Sequence, residues 1–191
     1  MISMSALLVA AFCGSLTAQI EIPATDQLKA SDCTPELFDI IEKEYRRSDI
    51  DFNAAYRAEK RIRKVLAVCP SADFNPSLYS KLETLEEEHA YHFFLLAKFY
   101  FDQSQKGGRG LKGAQSRFLE IVDKYPHYSR IDEVLFLLSE TYEFEDNYDE
   151  AEKSLQKLID DSPSGVFRSN AEVELQQIRT KRLVLKAVEG S

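Results

Sequence analysis

The sequence predicts an all-α protein built from antiparallel helix pairs stacked one on the next, and three observations predict it. Apolar residues recur at i, i+3 and i+7 in segment after segment, the spacing that lines one face of a helix. The segments end at helix breakers, namely Pro70, the run Gly107-Gly108-Arg109-Gly110, Pro126 and Pro163. Ala114 and Ala151, Phe118 and Leu155, and Pro126 and Pro163 are each 37 residues apart, so one helix-pair unit is used twice.

From the N-terminus, residues 1–20 carry no charged side chain, and the run from Ala6 to Cys13 is too short to span a bilayer but long enough for the core of an export signal. Residues 1–18 are read as a signal peptide or lipoprotein signal, 19–33 as a linker and 34–188 as the helical repeat domain. Cys13 followed by Gly14-Ser15 resembles a bacterial lipoprotein site, which makes Cys13 the candidate for lipidation and implies an anchor on the periplasmic side of the outer membrane. Cleavage near Ala18, or retention as an N-terminal helix, are the alternatives. In an exported chain Cys33 and Cys69 are a disulfide candidate, with two half-buried free thiols as the alternative. They stand just before the first helix and at the end of the second, which are neighbouring points in a hairpin; a bridge would stabilise by about 3–4 kcal/mol in the chain-entropy picture. Neither has a second ligand at zinc-site spacing.

Thr34 as cap and Pro35 as first residue open a helix with Phe38, Ile41 and Tyr45 on its packing stripe. A second runs from Phe52 to Val68 with Ala58, Ile62, Val65 and Leu66 inward. Asn75-Pro76 then opens a long helix to about Gln103, carrying Leu78, Leu82 and Leu85 and then Phe93, Leu96 and Tyr100. Ala114, Phe118, Ile121 and Val122 mark its partner. Leu135, Leu138 and Tyr142 lie on a helix from about Ser129 to Glu145. Asn147 and Glu150 have capping-box spacing at the start of the next, on which Ala151 is small enough to let two backbones approach. The last helix, Ala171 to Val188, turns Leu175, Ile178 and Leu185 inward and Arg179, Lys181, Arg182 and Lys186 outward, as the cap of a stack requires.

Leu138-Ser139, Tyr142, Tyr148, Ala151, Leu155, Leu158 and Pro163 resemble the tetratricopeptide repeat (TPR), with Ser139 in place of the glycine and Leu158 in place of the second alanine. That resemblance implies a right-handed α-solenoid of about three TPR-like helix pairs with a C-terminal capping helix. The helix from Glu86 to Tyr100, with Tyr125-Pro126-His127-Tyr128-Ser129, resembles the BamD-type lipoproteins of the bacterial outer-membrane β-barrel assembly machinery over roughly Leu82 to Ala171. The insert Ser104 to Gly110 departs from that pattern. The resemblance implies a non-enzymatic periplasmic scaffold whose partners are other proteins, a β-barrel assembly pore subunit or unfolded outer-membrane proteins. Periplasmic TPR adaptors of envelope or cell-wall complexes, such as Tol-Pal coordinators, are similar too.

Twenty-four Lys and Arg against 32 Asp and Glu give a net charge of −8, which sets most of the surface against nucleic acid. Glu86-x-x-His89 is a single copy of a motif that di-iron bundles need twice. His89 and His92 are expected on the solvated helix surface rather than around a metal. The glycine run lacks the Gly-Lys-Ser/Thr ending of a phosphate loop. No catalytic set, metal or cofactor is expected; an enzyme would need a polar pocket with perturbed carboxylates. The candidate site is a partner-binding groove on the concave side, formed by Phe94, Lys98, Phe101, Phe136, Glu140, Glu143 and Phe144. Exposed phenylalanines are costly unless they dock an extended or helical peptide or are covered by neighbouring helices or a subunit.

Overall fold

A computed structural model describes residues 27–47, 51–107 and 109–189, and the described residues hold helices and no strand. The signal region 1–18 with Cys13, the linker up to residue 26, and Gly108 lie outside the described residues. A short 3-10 turn, Ala30–Asp32, precedes α1 (Pro35–Tyr45), α2 (Phe52–Val68), α3 (Asn75–Gln105), α4 (Leu111–Lys124), α5 (Ile131–Glu143), α6 (Tyr148–Asp161) and α7 (Arg168–Glu189).

Each helix packs chiefly on its neighbours in sequence, α1 on α2 through α6 on α7. Three apolar cores follow one another along the chain. Ile41, Ala58, Ile62, Val65, Leu78 and Leu85 join α1 and α2 to the first half of α3. Ala90, Phe94, Ala97, Phe118, Ile121 and Val134 join its second half to α4 and α5. Leu135, Ala151, Leu155, Leu158, Leu175 and Ile178 join α5, α6 and α7. Helices α3 and α5 therefore each serve two cores, α3 through its successive halves.

Cys33 and Cys69 are joined in a disulfide, their Cα atoms 5.7 Å apart, and it clips the turn before α1 to the end of α2. At that junction Asn75 Nδ2 donates to the Cys69 carbonyl at 2.7 Å, satisfying a carbonyl that the end of α2 leaves free. Gly107 takes a left-handed φ of 81° after α3, and at Gly110 a Cβ would collide with the carbonyl of Tyr100, so glycine lets α4 start close beside α3. Asp146, with φ 55°, makes the reversal between α5 and α6, and Asn147 Oδ1 accepts from the Glu150 amide at 3.4 Å.

Several faces differ from the sequence expectation. On α3 the stripe is Ala90, Phe94, Ala97 and Phe101, one residue on from the expected Phe93, Leu96 and Tyr100. Phe93 and Tyr100 are half-buried against the same core, and Leu96 is exposed. On α7, Leu175 and Ile178 are buried but Leu185 is exposed, past the end of the core. Arg179 and Arg182 are half-buried braces rather than free solubilising charges: Arg179 Nε donates to Glu152 at 2.8 Å, and Arg182 pairs with Glu152 and with Asp149.

Candidate functional site

The expected groove residues divide into a floor and a rim. Phe94 is 1% exposed and Phe101 6%, so both are core and not groove. Their place is fixed by packing from two sides: Phe94 meets Phe118 of α4 and Tyr128 of the following turn, and the Arg130 guanidinium lies 4.2 Å from its ring centroid. Phe136 is half-buried against Phe167, rings 5.5 Å apart. Phe144 stays 57% exposed, with its ring 6.3 Å from that of Phe101 beneath it. Lys98, Glu140 and Glu143 are half-buried along the line where α3, α5 and α7 meet.

There the three helices leave a cleft of about 440 Å³ lined by Gln105, Glu140, Glu143, Phe144 and Glu174. Glu143 has a cation, Lys181 of α7, at 2.9 Å. Glu140 and Glu174 have none within ion-pair distance among the described residues. Burial, then the charges of Glu174 and Glu143, hold the Glu140 carboxyl above the usual carboxylate range, against the opposing charge of Lys98. Burial also raises Glu174, with the hydrogen bond to Glu143 and its charge adding to it. The cleft is a polar pocket with perturbed carboxylates, the feature an enzyme would need, and its lining holds no histidine, cysteine or hydroxyl beside them. Its chemistry is that of three crowded carboxylates, one of them paired with Lys181, whose repulsion a further cation would relieve.

Sequence reasoning missed Gln105 and Glu174, which reach the cleft through the tertiary arrangement. It also missed a ridge on α3, Tyr91, Leu95 and Phe99, whose members are about half exposed. A signal for the ridge was present: the three stand at i, i+4 and i+8, a second apolar stripe on a helix that already had one.

The histidines separate. His89 is 1% exposed, not solvated; its Nδ1 pairs with Glu59, which also takes Arg63 Nε at 2.9 Å. Arg63 reaches on to Glu86 at 2.8 Å, and the Tyr125 hydroxyl donates to Glu59 at 3.5 Å. This polar knot joins α2, α3 and the turn after α4. Burial is the largest influence on Glu59 and would raise it, but the hydrogen bonds from His89 and Arg63, with their charges, hold its carboxyl below the usual range. His92 lies on the surface; both imidazoles stand edge-on to Phe52, at 5.1 and 5.3 Å. Among the described residues no three potential ligands gather as a metal site would need.

No protein-family model, curated protein or solved structure matches this chain.

Proposed function

We propose that this protein is a non-enzymatic scaffold that captures a protein partner on the face formed by α3, α5 and α7, and that its helices are TPR-like pairs in a right-handed solenoid. The observation that carries this reading is the combination of a ridge of large apolar side chains, exposed on a helix whose opposite side is fully packed, with a cleft beside it. Exposed apolar surface of this kind is costly to keep unless a partner covers it. The succession of three cores, each sharing a helix with the next, supports the repeat reading, because repeat proteins bury their apolar faces only against neighbours.

The resemblance of Glu86 to Tyr100 and of the Ala151 repeat to BamD-type lipoproteins directs the proposal to outer-membrane protein assembly on the periplasmic side, with a lipid anchor at Cys13. The partner would then be the pore subunit of the assembly machinery or an unfolded outer-membrane protein. A general periplasmic adaptor of Tol-Pal or cell-wall complexes is the second reading, favoured by the same face and separable by its partner. The test is affinity purification of the full-length tagged chain from solubilised envelopes, with the bound proteins identified by mass spectrometry. Recovery of the pore subunit supports the first reading, and recovery of Tol-system or peptidoglycan-associated proteins supports the second. Recovery of neither with a folded, exported bait contradicts both.

A further inference from the structure

Tyr91, Leu95 and Phe99 fall within one side of α3, opposite Ala90 and Ala97, which are fully buried. Lys98 shares that strip and lies near enough to Glu140 of α5 for the two charges to act on each other. The apolar ridge therefore runs beside the acidic cleft. Phe144 stands in the cleft wall and Glu174 of α7 contributes the carboxylate facing Glu140 and Glu143. Two lysines already serve the cleft: Lys181 is paired with Glu143 at 2.9 Å and its charge reaches Glu174, while Lys98, 3.9 Å from Asp102, acts on Glu140. Three carboxylates thus share two lysines, and Glu140 and Glu174 have no ion-pair partner among the described residues, so a ligand entering here meets apolar surface on one side and an excess of negative charge on the other.

We propose that this face takes a basic amphipathic segment of the protein partner, with large apolar side chains laid on Tyr91, Leu95 and Phe99 and a lysine or arginine entering the cleft between Glu140 and Glu174. The inference rests on the docking reading above and adds the chemistry of the occupant. Charge complementarity is the argument for it. A cation set between two crowded carboxylates removes their mutual repulsion, while an acidic segment of the same apolar pattern would add to it, so the cleft selects by sign as well as by shape.

The probe is a pair of short synthetic peptides with leucine at i, i+3, i+4 and i+7, one filled with lysine at the remaining positions and the other with glutamate. Fluorescence anisotropy measures their binding to the full-length protein, to Glu140→Gln/Glu174→Gln and to Leu95→Ala/Phe99→Ala, each checked for an unchanged helical spectrum. The lysine peptide is expected to bind the wild type, to lose about tenfold in affinity with the glutamine variant and to weaken as salt is added. The glutamate peptide is expected not to bind. Equal binding of the lysine peptide to the wild type and the glutamine variant would overturn the inference. So would binding of both peptides alike; if Leu95→Ala/Phe99→Ala then abolishes both, the docking face stands and only the cationic occupant falls. Failure of both peptides to bind the wild type also overturns the inference, whereas the docking reading is decided separately by recovery of a native partner.

Discussion

Phe93 and Phe94 are consecutive on α3, about 100° apart around its axis, and which of them faces the core decides what the rest of the helix exposes. Both begin a plausible apolar stripe, Phe93-Leu96-Tyr100 or Ala90-Phe94-Ala97-Phe101, and periodicity alone does not choose between them. The choice is made by neighbours distant in sequence. Tyr128 and Arg130 arrive from the turn before α5 and close over Phe94, while α4 takes the other flank. Phe94→Ala should therefore lower stability by about 3–5 kcal/mol, the cost of a large core cavity, whereas Phe144→Ala should stay within about 0.5 kcal/mol. Chemical denaturation of the two variants checks this, and equal losses would contradict the assignment of floor and rim. Glu140 makes a second prediction at this scale. It is faced by Glu174 from α7 and by Lys98 from α3, with Glu143 on its own helix, while Lys181 of α7 pairs with Glu143 and acts on Glu174. Its carboxyl is raised in the folded state, so the folded chain binds more protons than the unfolded one across that window, and stability falls as pH rises through it. Glu140→Gln should raise the melting temperature near neutral pH, by less than about 1 kcal/mol in stability, and the gain should fade below the ordinary carboxylate pKa of about 4.3. A variant that melts lower than wild type at pH 7 would contradict the crowding.

Helices were largely legible because their ends are written in local chemistry. Phe52 to Val68 is a helix as expected, with Asp51 Oδ1 accepting from the Asn53 amide at its start. The expected helix from Ser129 begins instead at Ile131, because the Glu87 carboxylate of α3 binds both the amide and the hydroxyl of Ser129 and holds it outside the helix. That contact spans two helices and leaves no mark in the local sequence. The same holds for His89, whose burial depends on Glu59 from α2. The α5–α6 pair was the most readable element, and Ala151, fully buried, sits in its shared core with Leu135 and Leu155. Ala151→Leu adds three carbons there and should cost about 1–3 kcal/mol by overpacking. An unchanged denaturation midpoint would mean that the two helices do not meet at Ala151.

At the scale of the molecule, contacts pass from each helix to the next, so a local loss should stay local. The Cys33–Cys69 bridge closes a loop with a sequence separation of 36 at the N-terminal end. Reducing it should remove about 3–4 kcal/mol of constraint. Amide exchange should rise around Ile41 and Ile62 well before it rises around Leu155 and Ile178, the far core of the stack. Uniform loss of protection would instead mean one cooperative core. The groove was half legible: the sequence named Lys98, Glu140, Glu143 and Phe144, but the cleft also needs Glu174 and Gln105, brought in by helices that pair through tertiary packing. The central claim is that the α3, α5 and α7 face is where a partner docks, and site-specific photo-cross-linking in intact cells tests it most directly. A photoreactive phenylalanine in place of Phe99 or of Phe144 should give an adduct with one and the same protein, while the same probe at Lys157, exposed on α6, gives none. Adducts from Lys157 alone, or no adduct from either phenylalanine position in a folded and exported chain, would contradict the account.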